Sequence, residues 1–303
     1  MTRMPADENP RRGMLVPEFR PAAAYLVEGP PRLARHLKMI RVVDADVGAI
    51  LTDARDTEVG QSIRSAKTWA PGEGRFLRET LRPGMRVIDI GANIGYFTLL
   101  MANMVGAEGR VLAVEADPDT VGILRANLEL RDSTNVEVLP VVATRSRGIV
   151  TVSRCAGNLG GHKGFVAAGA DEYIPVQGIR LDDALDPAAP IDFVKVDVEG
   201  MDHAAIEGLE RSIRQWRPLL LVEFNPANIE AFGDDPHEVL RFYRGLGLQV
   251  SVLGTDALLL RDAAGLDLDE LVREGLIVMP RMDTDLIERT RHIGLINLIL
   301  RPR

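Results

Sequence analysis

Short apolar runs and amphipathic segments alternate along most of the chain. From about residue 86, strand-like stretches such as RVIDIG and RVLAVEAD are each followed by a stretch with helical spacing, YFTLLMANMVG and PDTVGILRANLELR. Further strand patterns follow in NVEVLPVVA, IDFVKVDVEG and PLLLVEFN. Regular alternation of this kind is typical of a parallel sheet covered by helices on both faces. The pattern therefore predicts an α/β fold with a doubly wound, mostly parallel sheet.

The same pattern divides the chain into three parts. Residues 1–20 are rich in proline, arginine and acidic residues, and we expect them to form a disordered arm. Residues 21–82 form an N-terminal extension, in which RHLKMIRVVDADVGAILT predicts a β-hairpin and GEGRFLRETL a helix. Residues 83–303 form the main domain, with insertions at about 146–182 and 254–290 and the apolar run GLINLIL as a closing strand.

The loop after the first strand of the main domain carries the first chemical signal. In VIDIGANIGYFTLL, Gly91 and Gly95 flank Asn93, and glycine lets a backbone approach a ligand closely at the end of a strand. The third glycine of a dinucleotide motif would fall at Thr98, so that motif is broken. Glu115 ends the next strand, where a carboxylate can accept both hydroxyls of an unphosphorylated ribose. This combination fits the ribose of NAD or of S-adenosylmethionine and disfavours NADP.

Asp89, directly before the loop, distinguishes these two ligands. Its carboxylate could reach the ammonium group of a methionine moiety directly or through a water molecule. A dinucleotide has no cation at that place. Together with the broken glycine spacing, Asp89 favours S-adenosylmethionine.

The composition of the chain indicates which classes of binding partner it disfavours. The net charge of -8 argues against nucleic acid, because binding phosphates requires a basic face. Cys155 is the only cysteine, so no intrachain disulfide can form. The first residues lack the apolar run of a signal peptide, and no apolar stretch reaches the ~18 residues that span a bilayer. We expect a cytoplasmic protein with a small-molecule partner and with no nucleic-acid or membrane partner; a homo-oligomer stays open.

Three motifs in combination, VIDIGANIGYFTLL, VLAVEADP and IDFVKVDVEG, resemble the FkbM-like family of S-adenosylmethionine-dependent O-methyltransferases. The resemblance covers roughly residues 70–250, and the terminal INLIL is similar to the family's closing strand. It implies a Rossmann-like class I methyltransferase fold, with a seven-stranded sheet whose last strand is antiparallel. It also implies methyl transfer to a hydroxyl of a small molecule, often a sugar or a polyketide. The excess of arginine over lysine is typical of a GC-rich bacterial genome and fits natural-product biosynthesis.

The predicted cofactor site follows the carboxyl ends of the strands of the main domain. We expect the glycine loop to lie under the methionine half of S-adenosylmethionine and the acid of the second strand to bind the ribose. The complete set of predicted cofactor residues is Asp89, Gly91, Asn93, Gly95, Phe97, Glu115, Ala116, Ala143 and Asp197.

Methyl transfer to an alcohol is an in-line displacement, and a base that takes the hydroxyl proton assists it. Asp197 and Glu199, in KVDVEG at the end of the fourth strand, are predicted to be that base or to orient the acceptor. In the alternative interpretation, Asp197 holds the cofactor's amino group and Glu199 caps the next helix. His162 is also predicted to be catalytic, because it lies in the glycine-rich first insertion, a predicted lid over the acceptor pocket. His203 is the second choice among the histidines.

Glu223 ends the fifth strand after four apolar residues and is predicted to face the same cleft, because burying an unpaired acid is costly. With Asp197 it could hold a divalent ion, but a third ligand is not evident, so a metal is not favoured. For Lys195, a packing role is an equal alternative to a role in the site.

Other functions stay open from the sequence. A non-catalytic nucleotide-binding module would keep the same loop, and a methyltransferase could instead act on an amine or a carboxylate. N-methylation of nucleic acid is disfavoured, because those enzymes carry an Asn/Asp-Pro-Pro-aromatic tetrapeptide where this chain has DVEG.

Overall fold

The computed structural model of the protein describes residues 39–154, 164, 170–253, 260–262 and 296–302. Its strands are β1 (Ile40–Ala45), β2 (Gly48–Asp53), β3 (Arg86–Ile90), β4 (Arg110–Val114), β5 (Val136–Leu139), β6 (Val142–Ala143), β7 (Gly148–Arg154), β8 (Glu172–Ile179), β9 (Phe193–Val196), β10 (Leu219–Phe224), β11 (Leu248–Leu253), β12 (Leu260–Asp262) and β13 (Ile296–Pro302). Its helices are α1 (Val59–Ala66), α2 (Pro71–Thr80), α3 (Tyr96–Val105), α4 (Pro118–Leu130), α5 (Leu181–Ala184), α6 (Asp202–Glu207), α7 (Glu210–Trp216), α8 (Pro226–Phe232) and α9 (Pro236–Gly245).

The main sheet has the order β12-β11-β13-β10-β9-β3-β4-β5. β3 pairs in parallel with both β4 and β9, so the strand order reverses between β3 and β9. β13 runs antiparallel to both β10 and β11. The predicted doubly wound sheet with an antiparallel last strand is confirmed. The short strand β12 adds an eighth strand at the edge, where the sequence predicted seven.

Three helices begin at the same sequence signal, an acid or amide followed by proline. At α4 the side chain of Asp117 accepts hydrogen bonds from the amides of Asp119 and Thr120. Asn225 caps α8 and Asp235 caps α9 in the same way. A capping side chain satisfies amides that have no partner within the helix, and proline at the first position needs none. These caps fix where each helix leaves the edge of the sheet that carries the carboxyl ends of the strands.

Both faces of the sheet are buried. Val194 and Val196 of β9 face a core formed with α6, α7 and α9, while Phe193 of the same strand belongs to the core under α3. Alternate residues of a strand point to opposite faces, which explains why the strands read as continuous apolar runs. In the described part of the chain, we find no helix long and apolar enough to cross a membrane.

The N-terminal extension packs on the core of the main domain. β1 and β2 form an antiparallel hairpin, and Ile50 and Ile63 are fully buried in the same cluster as residues of α3. Asn127 of α4 joins the two parts, because its amide donates to the carbonyls of Leu51 (3.1 Å) and Ile94 (2.7 Å). Residues 1–20 lie outside the described residues.

The first predicted insertion contributes β7 and β8, which form a separate three-stranded sheet with β6. Arg154, at the end of β7, connects this sheet to α4. Its guanidinium pairs with Asp117 and, at 2.9 Å, with Glu172. Residues 155–163 and 165–169 of this insertion and most of the second insertion lie outside the described residues. The lid function of residues 146–182 stays a prediction.

Replacing Arg154 should destabilise the fold. Arg154→Met leaves the buried carboxylate of Asp117 without its cation, and removing one partner of a buried pair costs about 3 kcal/mol or more. Urea unfolding measures the loss, with Arg147→Met as the control, since Arg147 is exposed in the turn before β7. Equal free energies of unfolding for the two variants would contradict the assigned role.

Candidate active site

The glycine loop and the end of β9 meet where the strand order reverses. The amide of Asp197 donates to the carbonyl of Ile90 (3.0 Å), and the amide of Gly91 donates to Val114 of β4 (2.9 Å). Gly91 has φ +83, and a Cβ added to it would lie 1.9 Å from the carbonyl oxygen of Asp197. Only glycine fits here, because both the backbone conformation and the neighbouring carbonyl exclude a side chain. The predicted loop residue therefore sets the distance between the ends of two strands.

Glu115 ties the loop to the end of β4. Its carboxylate accepts hydrogen bonds from the amides of Asn93 and Asp117, both at 2.9 Å. Burial raises the pKa of Glu115 to about 7. Ala116 follows it and is partly exposed, whereas Ala143, at the end of β6, is buried. Gly95 has φ +94 and directly precedes α3. The structure thus brings Asn93, Gly95 and Glu115 to one edge of the main sheet, whereas Ala143 belongs to the separate three-stranded sheet.

A buried layer of polar side chains lies between the sheet and α3. Lys195 of β9 is 2% exposed, and its ammonium lies 2.7 Å from the carboxylate of Asp197. The ring of Phe97 covers the same ammonium at 4.8 Å. Asp89 is also buried and accepts a hydrogen bond from the hydroxyl of Thr98 (2.6 Å). Lys195 therefore supplies the positive charge of this layer. Phe97 packs over its ammonium, and Asp89 is a buried carboxyl group in the same layer.

The charged groups of this layer shift one another's pKa values. Burial opposes the charge of Lys195, but the carboxylates of Asp197, Glu73 and Asp89 outweigh it and raise the pKa of Lys195. Burial likewise opposes ionisation of Asp197, and Lys195 outweighs it and lowers the pKa of Asp197. For Asp89, burial dominates and raises the pKa. Among these three carboxyl groups, Asp197 is therefore the one whose ionised form the site favours.

Two further carboxyl groups near Asp197 belong to Glu199 and Glu223. Glu199 has φ +52 and Gly200 φ +96, so the chain has left the strand and turned here. The amide of Asn228 donates to Glu199 at 3.0 Å. Glu223 is buried, and its Oε2 has no hydrogen-bond partner among the described residues. Burial, Glu199 and Asp197 together raise the pKa of Glu223 well above its ordinary value.

The turn itself is held by Asp202 rather than by Glu199. The carboxylate of Asp202 accepts the amides of Val198 and Gly200, both at 3.1 Å. Burial and the charge of Asp197 raise the pKa of Asp202 to about 7. Within the described residues we find no group of three side chains that could hold a metal ion.

Two residues of this cleft were missed by the sequence reasoning. Glu73, in the first turn of α2, accepts a hydrogen bond from the amide of Asn297 of β13 (3.2 Å). Burial raises the pKa of Glu73 to about 7, although Lys195 opposes the shift. A usable signal existed for Glu73, because it precedes the buried pair Phe76 and Leu77 by three and four residues and so shares their helix face. Asn297 interrupts the apolar run INLIL.

The two candidate histidines, His162 and His203, do not belong to the cluster around Asp197 in the described residues. His162 lies outside the described residues. His203 is buried in a separate cluster, where its Nε2 lies 2.6 Å from the carboxylate of Asp234 and 2.9 Å from the guanidinium of Arg145. Its ring packs edge-on against Phe232. Burial lowers the pKa of His203, so it is neutral at neutral pH.

Comparison with known proteins assigns the family. The sequence model of the methyltransferase FkbM domain matches residues 89–250, more than half of the chain. The chain belongs to the FkbM methyltransferase family. This assignment confirms the family that the sequence motifs predicted, and S-adenosylmethionine is the cofactor that the family implies.

Three relatives illustrate the range of similar proteins. Protein-L-isoaspartate O-methyltransferase 1 of Arabidopsis thaliana is 46% identical over 55 residues, which are 18% of this chain and 24% of that protein. Arsenite methyltransferase of Halobacterium salinarum is 28% identical over 166 residues, 52% of this chain and 39% of that protein. The crystal structure of methyltransferase FkbM from Methylobacillus flagellatus KT aligns with 59% of this chain and 46% of its own, at 17% identity and a TM-score of 0.40. This FkbM methyltransferase thus spans less than two thirds of the length of these relatives.

The described residues fit the family's cofactor. Gly91 lets the ends of β3 and β9 lie close together, and Glu115 is a partly exposed carboxylate at the end of β4, where folds of this kind bind a ribose. Asp89 has one buried oxygen, Oδ1, without a hydrogen-bond partner in the described part of the chain. A sulfonium and an ammonium are cations, and the surplus of carboxylates over Lys195 is complementary to them.

Proposed function

We propose that this FkbM methyltransferase methylates a hydroxyl group of a small metabolite, such as a sugar or a natural-product scaffold. The observation that carries the proposal is the pair Asp197 and Glu199, two partly exposed carboxylates beside the glycine loop, of which Lys195 keeps Asp197 ionised. A bound S-adenosylmethionine supplies a methyl group activated by its sulfonium. The chain then needs to align a hydroxyl with that carbon and to accept its proton.

The two carboxylates have different surroundings and hence different roles. Asp197 is fixed by Lys195 and its pKa is lowered, so it orients the acceptor hydroxyl by accepting its hydrogen bond. Glu199 lies past the strand end and is fixed by the neutral amide of Asn228, so it is better suited to take the proton. Glu199 would hold the proton that the hydroxyl loses when its oxygen gains the methyl group, and the uncharged thioether would be the other product.

Carboxylate acceptors fit this site less well than hydroxyls. Methyl transfer to a carboxylate requires its negative charge to enter a cleft that already holds Glu73, Asp197 and Glu199. Like charges at close range repel, and the repulsion is stronger in a partly buried site than in water. A neutral hydroxyl avoids this cost.

Glu115→Ala should weaken cofactor binding. In our proposal the carboxylate accepts two hydrogen bonds from the ribose, and losing them should lower the affinity for S-adenosylhomocysteine by about tenfold or more. Titration calorimetry measures the affinity, with Glu129→Ala as the control, since Glu129 is exposed on α4. Unchanged affinity in Glu115→Ala would contradict the ribose assignment.

Variants of Asp197, Glu199 and His162 distinguish a role in catalysis from a role in cofactor binding. Either Glu199→Gln or His162→Ala should lower turnover by ~10²- to 10⁴-fold with little change in cofactor affinity, as expected for the residue that acts as the base. Asp197→Asn should lower both. Transfer of labelled methyl to small-molecule extracts of the source organism measures turnover, with exposed Glu108→Gln as the control. Full activity at saturating cofactor in all three variants would refute the assignment, and activity lost with chelator and restored by Mg²⁺ would show a metal instead.

A further inference from the structure

Glu73 reaches the cofactor cleft from outside the matched methyltransferase domain. That domain begins at residue 89, whereas Glu73 lies in the first turn of α2 in the N-terminal extension. The carboxylate interacts electrostatically with Lys195, Asp197 and Asp89, which lie at the ends of β9 and β3. Those two strand ends form the switch point of the sheet, where ligands of such folds bind.

The amide of Asn297 fixes one end of the Glu73 carboxylate. Its nitrogen donates to Oε1 at 3.2 Å, across 224 positions of the sequence. Glu73 remains partly exposed, unlike Asp89, which is 1% exposed with one oxygen bound to Thr98. A ligand group that enters the cleft can therefore touch Glu73 directly, and Asp89 lies one layer deeper.

The charges of the cleft require a cation at this point. Among the described groups that interact with Glu73, Lys195 is the cation, and Asp197 and Asp89 are carboxylates. Lys195 is already paired with Asp197 at 2.7 Å. Burial raises the pKa of Glu73 to about 7, and Asp197 and Asp89 add to the shift while Lys195 opposes it, so a bound cation would favour the ionised carboxylate. A bound ammonium would supply the missing charge and a donor for the hydrogen bond.

We propose that Glu73 of α2 binds the ammonium group at the amino-acid end of the cofactor, with Asn297 holding the carboxylate in place. The proposal rests on the proposed function, because it requires S-adenosylmethionine or its product as the ligand. In this proposal Glu73 contacts the ammonium group directly, and Asp89 is the buried charge beneath Glu73. The N-terminal extension is then part of the cofactor site and not only a support for the domain.

The test uses three ligands that differ only at the amino-acid end. S-Adenosylhomocysteine carries both the ammonium and the carboxylate, its deaminated analogue keeps the carboxylate alone, and 5′-deoxy-5′-methylthioadenosine lacks both. Calorimetry on the full chain compares Glu73→Gln with Glu79→Gln, a matched change at an exposed position of the same helix. We expect Glu73→Gln to weaken S-adenosylhomocysteine by about tenfold or more and to leave the other two ligands within about twofold.

Each other outcome overturns the proposal. Unchanged affinity for S-adenosylhomocysteine would remove Glu73 from the cofactor site. Equal weakening of all three ligands would show that Glu73 only supports the fold, and Glu73→Asp, which keeps the charge, would then bind all three normally. If Glu73→Gln also lost binding of the deaminated analogue, Glu73 would be assigned to the carboxylate end of the ligand. A wild-type protein that binds none of the three ligands refutes the proposed function itself, which distinguishes the two failures.

Discussion

Gly91→Ala is expected to abolish binding of S-adenosylhomocysteine, with an affinity loss of about 100-fold or more. The added methyl group would lie 1.9 Å from the carbonyl oxygen of Asp197, which is backbone and cannot rotate away. The position also has φ +83, which costs an alanine about 1–2 kcal/mol. The ends of β3 and β9 must therefore separate, and this moves the glycine loop and Asp197 apart.

A matched glycine serves as the control for this variant. Gly122 lies inside α4, and a Cβ there meets nothing within 4 Å. Gly122→Ala should stabilise the protein by roughly 0.5–1 kcal/mol, because alanine favours a helix more than glycine does. Calorimetry and thermal unfolding of both variants measure the difference. Binding by Gly91→Ala at wild-type affinity would show that the loop does not approach the cofactor.

Lys195→Met is expected to cause the largest loss of stability among the variants considered. Its ammonium is 2% exposed, pairs with Asp197 and compensates the charges of Glu73 and Asp89. Removing one partner of a buried ion pair costs about 3–5 kcal/mol, because the remaining carboxylates stay buried without a cation. Urea unfolding measures the loss. The control is Lys67→Met, at an exposed lysine of the extension.

The loss of stability caused by Lys195→Met should become larger as the pH rises. In the wild type, the pKa of Asp197 is lowered, so its pairing with Lys195 stabilises the fold above the ordinary pKa of an aspartate and loses that effect in acid. The pKa of Glu73 is raised to about 7, so its ionisation destabilises the fold as pH rises through that range. Without Lys195 both effects work against the folded state at high pH. The variant should therefore lose more stability between pH 5 and pH 8 than the wild type, and a parallel profile would contradict the compensating role.

The fold was predictable because its signals are local. The strands β3, β4, β9 and β10 each appear as apolar runs, and Asp117 followed by Pro118 marked the start of α4 correctly. The family motifs added the antiparallel last strand. The short edge strand β12 had no such signal, because three residues carry no readable period.

The candidate site was predictable only where its residues follow a motif. The positions of Asp197 and Glu115 beside the glycine loop could be predicted because each follows or ends a strand next to it. Those of Glu73 and Asn297 could not, because their contact joins residues 224 positions apart and depends on how α2 lies against the sheet. The role of Lys195 needed the observed direction of its side chain toward Asp197, which sequence spacing left undecided.

The central claim is that the switch point between β3 and β9 binds S-adenosylmethionine and not a dinucleotide or ATP. Parallel calorimetric titrations of the full chain with S-adenosylhomocysteine, NAD and ATP test it directly. We expect S-adenosylhomocysteine to bind with one-to-one stoichiometry, and NAD and ATP to bind at least about 100-fold more weakly. Tighter binding of NAD or ATP than of S-adenosylhomocysteine would contradict the claim.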